Sequence, residues 1–456
     1  MTASLHPELP YWQALATHAM VWAWPLYEMQ RMRSGTSPRR TQTDGFAGDS
    51  PQSNWRWCNV FSHTRERLKP GGSRVVMPNN DTLYSNAWLD LSEGPLVLET
   101  PPSLGRYHVL GLLDYYTNPF AHIGTRTSGD GPVQVLVTPP GWRGEVPAPF
   151  RAAGRHILAP TPWVWLIGRV MVESDADLPG AGALQDGLGL RSLTDWQAGR
   201  SGRARRFDAR HDFKRPFDWQ HFRALVNEAL AMCPPPAHEA PLLQAWKGLG
   251  LGAGQPDDVS QLRAVVRQAW DMASAHVLSL MEMPADRLGR DEPLRGWMPS
   301  LMPRAPAFGG DVLRRAHIAH QAIGALEPAE AIYPRCDTDS TGQPLHGGYR
   351  YRLSFPAGEL PPVDAFWSIT LYDAADKMLV DNPIDRYAIG DRTPGLRRDA
   401  DGGLTLWIQH APPSAEHERC NWLPAPDGGF VLCLRAYLPR PELLEGSYVV
   451  PAPERQ

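Results

Sequence analysis

The chain has 456 residues, 42% of them hydrophobic and 21% charged, with a formal net charge of -4. That length exceeds one ordinary core and predicts two to three domains, and the composition is that of a water-soluble globular protein. A slightly acidic chain gives no general electrostatic reason to bind a polyanion, so no nucleic-acid partner is expected.

The N-terminus, "MTASLHPELPYWQ", lacks a basic stretch followed by an apolar one, so no secretory signal is read. The apolar stretch "ALATHAMVWAWPLYEM" is too short and too interrupted to span a bilayer, and no membrane partner is expected. Residues 10 to 35 read as a helix with Trp12, Ala16, Met20 and Trp24 on one face and Pro25 as an interruption. The cysteines Cys58, Cys233, Cys336, Cys420 and Cys433 are scattered, odd in number and form no CxxC pair. Free thiols in a reducing, cytoplasmic setting fit that pattern better than disulfides or a thiolate zinc site.

From Val75 to Val172, short apolar runs alternate with Gly and Pro: "PLVLETPP", "GRYHVLGLLD", "FAHIGT", "VQVLVTPPGW" and "WVWLIGRVMV". This is the pattern of a sandwich or barrel, not of βαβ units. The basic run "GRSGRARRFDARHDFKR" (199 to 215) reads as a solvated interdomain loop, because no stacking aromatics alternate with its charges. Helical spacing follows in "DWQHFRALVNEALAMC", with Asp218 as N-cap, in "DDVSQLRAVVRQAWDMASAHVLSLMEM", and in residues 311 to 326. Strands return from Tyr349 in "YRYRLSF", "AFWSITLYDA", "LTLWIQHA" and "GFVLCLRAYLP". The expected class is therefore α+β, with two β-rich, sandwich or jelly-roll-like domains joined by a helical segment. Expected boundaries are 1–60 (helical), 61–185 (first β domain), 186–330 (helical linker) and 331–456 (second β domain). A faint echo links the β domains: Tyr107 precedes Asp114 at the spacing at which Phe366 precedes Asp373. A duplication would explain it, and so would chance, because strands often end in an Asp turn.

Candidate chemistry concentrates in "PNNDTLYSNAWLDLS". Strand alternation puts Leu83, Ser85, Ala87, Leu89 and Leu91 on a core face and Thr82, Tyr84, Asn86, Trp88 and Asp90 on the other. Bulky aromatics beside donors and acceptors suit a ligand wall; they also suit a strand packed under another layer. In "DYYTNPF", Asp114, Tyr116 and Asn118 sit at a strand end, as site groups or as a capped turn. On "GFVLCLRAYLP", Arg435 and Tyr437 face away from Leu432, Leu434 and Ala436, and Arg435 could clamp a carboxylate or balance a nearby Asp. His317 and His320 share a helix face without an HExxH pattern, so no metal site is assigned. No phosphate-binding or dinucleotide-binding glycine motif sits between a strand and a helix, so no cofactor is expected and a bound metal is left open.

"PNNDTLYSNAWLDLS", "GRYHVLGLLDYYTN" and "PTPWVWLIGR" resemble the N-terminal half of a bacterial family catalogued as paired domains of unknown function. "FWSITLYDAADKMLVDNPIDRYAIGD" and "CNWLPAPDGGFVLCLRAYLP" are similar to its C-terminal half. The resemblance implies two β-rich domains joined by helices and supplies no reaction. It also implies that many relatives are exported, from which this chain departs in showing no signal.

The residues together suggest a cofactor-independent enzyme acting on a small polar or aromatic molecule by hydrolysis, elimination or isomerisation. Asp81 or Asp114 would be the general base, Tyr84 or Tyr116 the proton donor or oxyanion partner, and Trp88 a stacking wall. Asn80, Asn118, Trp367, Tyr372, Asn421, Trp422 and Arg435 would contact substrate. The alternative from another class is a non-catalytic ligand-binding or assembly protein using the same faces, with a homo-oligomer as one form of it.

Overall fold

The computed structural model describes residues 6–39, 54–72, 77–209, 215–283, 296–298, 308 and 310–456. Its first β unit comprises β1 (Trp55–Cys58), β2 (Ser62–His63), β3 (Thr82–Asp90), β4 (Leu96–Thr100), β5 (His108–Leu113), β6 (Pro119–Gly124), β7 (Val133–Thr138), β8 (His156–Leu158), β9 (Trp163–Met171), β10 (Gly189–Ser192) and β11 (Arg205–Asp208). The second comprises β12 (Trp297–Met298), β13 (Ala331–Ile332), β14 (Arg335–Cys336), β15 (Tyr351–Phe355), β16 (Val363–Asp373), β17 (Ala388–Gly390), β18 (Leu404–Gln409), β19 (Trp422–Pro424), β20 (Phe430–Pro439) and β21 (Glu454–Arg455).

In the first unit, sheet β2-β3-β9-β5-β6 faces sheet β10-β4-β7-β8. Their inward side chains, including Leu83, Ala87, Leu89, Leu110, Val135, Leu166 and Leu190, form one buried apolar cluster. The alternation of β3 is thus realised: its odd-numbered apolar residues enter this core, and its other face turns outward from the two-sheet layer. The second unit repeats the arrangement, with β14-β20-β16-β17 facing β21-β15-β18-β19 over Leu353, Ile369, Leu406, Leu432 and Leu434. The chain is accordingly α+β with β-rich units.

The echo seen in the sequence is a repeat of the fold. The strand orders β3-β9-β5-β6 and β10-β4-β7-β8 recur as β14-β20-β16-β17 and β21-β15-β18-β19. The pair β7·β8 is parallel, and so is its counterpart β18·β19. Val109 on β5 is flanked by Gly124 and Arg169, and Ser368 on β16 by Gly390 and Arg435. Asp114 and Asp373 both cap the turn that follows their strand, each accepting the backbone N–H two residues on. Those turns carry a non-glycine residue at positive φ, Thr117 in one and Lys377 in the other. A Cβ at Gly124 would collide with the His108 carbonyl, and one at Gly390 with the Trp367 carbonyl. Gly124→Ala and Gly390→Ala are therefore each expected to cost on the order of 2 kcal/mol by chemical denaturation. A cost at only one position would show that the two strand pairings are not equivalent.

The helix Leu9–Thr36 runs through Pro25 without stopping and is buried almost all round from Ala19 to Ser34. Pro25 lacks an N–H to donate back along the helix, and burial against Trp219–Met232, Ala264–Glu282 and Val312–Gln321 holds the helix together across it. The one-faced stripe read from the sequence understates this, since a helix apolar on all sides is a buried one. Asp218 caps its helix as expected, accepting from His221 N at 2.8 Å. The helix expected from residue 257 begins at Ala264, preceded by a single turn at Val259–Gln261. Part of the basic run expected as loop is β11, paired with β1, where Arg205 meets Asp90 at 2.6 Å; residues 210–214 lie outside the described residues. The cysteines Cys58, Cys233, Cys336, Cys420 and Cys433 are all free. No helix among the described residues is long and apolar enough to cross a membrane.

Candidate functional site

The predicted site residues fall into three places. Trp88, Asp114, Tyr116 and Asn118 lie where the first unit meets the helices. Trp88 is 1% exposed, stacks on Trp165 at 5.6 Å and donates Nε1–H to Thr36 Oγ1 at 2.9 Å. Tyr116 donates its hydroxyl to Cys233 O at 3.0 Å, and burial pushes its pKa up, keeping the phenol neutral. Asp114 accepts from Tyr116 N and Asn118 N at 2.9 Å and from Asn118 Nδ2. Burial pushes its carboxyl up, against the pull of those donors.

Trp367, Asn421 and Trp422 sit within the second unit. Trp367 packs in its apolar core, and Trp422 donates Nε1–H to Gln409 O at 2.9 Å. Asn421 accepts from Arg397 N and donates to Arg397 O and Thr405 O, stapling one loop to β18.

Asn80, Asp81, Tyr84, Tyr372 and Arg435 meet at the seam between the two units. The turn Pro78–Asp81 reaches into the second unit because Pro78 O and the Asn79 and Asp81 side chains find partners there, while Asn80 donates back to Leu68 O. Asn79 donates to Tyr437 Oη at 2.6 Å and accepts from Asp81 N at 2.7 Å. Tyr372 donates to Pro78 O at 2.8 Å, and Arg435 donates to Met77 O and to Tyr372 Oη, both at 2.7 Å. Asp81 accepts from Ser368 Oγ at 2.6 Å through one oxygen and from Arg392 at 2.8 Å through the other. Beside it, Asn80, Asp81 and Ser368 line a cavity of about 260 Å3 with Arg67, Arg386 and Arg392. Its lining is mostly polar and charged, with Glu173 and Asp385 among it, so the space suits a small polar ligand and not an apolar one. A larger cleft of about 550 Å3 lies between the Thr100–Pro101 edge and Phe150, but its lining comes from the first unit alone.

Asp391 flanks the same arginine, with Arg392 Nε 3.5 Å from its carboxylate. Desolvation pushes Asp391 up to about 6, against the pull of Arg392. A carboxyl raised on folding contributes stability that is present below its unfolded pKa of about 4 and is lost as pH rises through about 6. Asp391→Asn is expected to flatten the stability profile between those values, by no more than about 1 kcal/mol because the group is partly solvated. An unchanged profile, followed by denaturant midpoint against pH, would contradict this.

Sequence reasoning did not single out Arg169, Tyr333, Ser368 or Arg392. Each is isolated in sequence among ordinary strand or loop residues and gains meaning only across the seam. The duplication was the usable signal, because Arg169 occupies on β9 the place that Arg435 occupies on β20.

Comparison with known proteins agrees with this two-part architecture. A family described as a protein of unknown function (DUF1254) matches residues 58–192, and another described in the same way (DUF1214) matches residues 330–441. A crystal structure of the VPA0106 protein from Vibrio parahaemolyticus is similar at a TM-score of 0.67 and 22% identity, covering 98% of this chain and 100% of that one. That likeness concerns the fold alone. An uncharacterized protein from Burkholderia cenocepacia aligns at 14% identity and a TM-score of 0.43, over 98% of this chain and 93% of that one, and bears no weight. No curated protein matches the chain.

Proposed function

For a chain with this paired-domain architecture, we propose an acid–base enzyme that works with its own side chains on a small polar molecule seated in the seam cavity. The observation that carries the reading is Asp81. It stands at the cavity wall, placed by the first unit and oriented by Ser368 and Arg392 of the second. A base in hydrogen-bond reach of a hydroxyl and fixed by a third group is the arrangement that proton-transfer and hydrolytic sites share. Asp81 is the base in this reading, and Asn80, Arg67 and Arg386 orient the substrate. Tyr84 remains at the seam floor, while Asp114 and Tyr116 serve the packing of the first unit against the helices.

The non-catalytic ligand-binding reading has one observation in its favour: both Asp81 oxygens already have partners from the chain itself. A thermal-shift screen of small hydroxy, keto and amino acids, followed by NMR of the best binder in deuterated water, separates the two. The enzyme reading expects product formation or solvent-deuterium incorporation that Asp81→Asn abolishes without abolishing binding. Binding with no chemical change, or chemistry unaffected by Asp81→Asn, overturns it.

A further inference from the structure

Apart from the cavity-lining groups, the seam holds two arginines in an unusual state. Arg169 and Arg435 are each only 6% exposed. Arg169 donates Nη2–H to Gly324 O at 2.9 Å, and its Nε and Nη1 have no acceptor among the described residues. Arg435 spends Nη2 on Met77 O and Tyr372 Oη, and its Nε has no acceptor among the described residues. The carboxylates of the seam are committed elsewhere, Asp81 to Arg392 and Glu330 to Arg126 and Tyr107. Among the described residues, neither Arg169 nor Arg435 is ion-paired to a carboxylate.

The same tyrosines neighbour both guanidinium groups. Arg169 lies 5.5 Å from the Tyr84 ring and Arg435 5.4 Å from the Tyr333 ring. Tyr84 and Tyr437 lie near both arginines. Tyr333 and Tyr437 do not neutralise the charges as tyrosinates, since burial pushes both phenols up and keeps them protonated. Two buried cations without a counter-ion are costly in a protein interior, and their unmade hydrogen bonds add to that cost. The guanidinium fork is matched in shape by a carboxylate, which would accept from both.

We propose that the floor of the seam binds a small carboxylate, clamped between Arg169 and Arg435 and walled by Tyr84, Tyr333 and Tyr437. The two repeats each contribute one arm of the clamp from equivalent strand positions. This goes beyond the seam-cavity reading, since none of these five residues lines that cavity, and it stands whether or not Asp81 carries out chemistry.

The test uses the full chain in buffer free of carboxylates and phosphate, with benzoate, succinate and inorganic phosphate as probes. Benzoate or succinate is expected to raise the melting temperature saturably, on the order of 3 °C, and phosphate is not. Arg169→Met and Arg435→Met are expected to abolish the response. Calorimetric titration of the unsubstituted protein with the same carboxylates gives an answer even where a variant fails to fold, and one saturable site per chain is expected. No saturable binding of either carboxylate, stabilisation by phosphate alone, or an undiminished response in both variants overturns the proposal. Asp81→Asn should keep this binding, so failure of the acid–base reading and failure of the carboxylate site are separate results.

Discussion

Asp81→Ala should lower folding stability by about 3 kcal/mol, read as a shift of the denaturant midpoint. The side chains of Asp81 and Arg392 are 8% and 17% exposed and meet at 2.8 Å. Removing one partner of a buried ion pair leaves the other charge desolvated and uncompensated, which typically costs 3–5 kcal/mol or thereabouts. Here the stranded groups would be Arg392 and the Ser368 hydroxyl, both in the second unit. The lower end of the range applies because Arg392 keeps the Asp391 carboxylate at 3.5 Å and Val172 O as an acceptor, and lies over the Phe366 ring at 3.9 Å. A double-mutant cycle with Arg392→Ala should return a coupling above about 1 kcal/mol. Additive effects would mean that the pair does not hold the two repeats in register.

Trp88→Ala should be more damaging still, at about 4 kcal/mol. The indole stacks on Trp165 and packs with Tyr115, and its N–H is taken by the helix Leu9–Thr36 through Thr36. Truncation would open a large cavity between the first β unit and the helices and leave Thr36 Oγ1 with only its bond to Met32 O. Because Trp88 is covered by its own chain, a second copy cannot reach it. If the variant retains full stability and instead loses an oligomer, this placement is wrong.

How much of this was legible in the sequence can be argued from single strands. Leu83, Ala87 and Leu89 could be assigned to a core because β3 alternates strictly, and Trp88 could be set opposite them for the same reason. What alternation cannot say is whether the opposite face meets a ligand, a helix or another unit. On β3 it meets the helices at Trp88 and the seam at Tyr84. Strands such as His156–Leu158 and Gly189–Ser192 were missed because they are short edge strands with mixed polarity. The seam was illegible for a different reason. Asn79 and Tyr437 are 358 positions apart, and Asp81 and Arg392 311, so only the docking of the repeats brings them together. The spacing shared by Asp114 and Asp373 was the one trace of that event in the sequence, and the fold shows it to reflect a repeat and not chance.

Hydrogen–deuterium exchange of the full chain, with and without the small molecule that stabilises it best, tests the central claim that ligand binds between the repeats. Slowed exchange is predicted in residues 77–84, 366–372, 388–393 and 431–437, from both units at once. Protection at the Thr100, Phe150 and Gly187 cleft instead, or in one unit only, would contradict it.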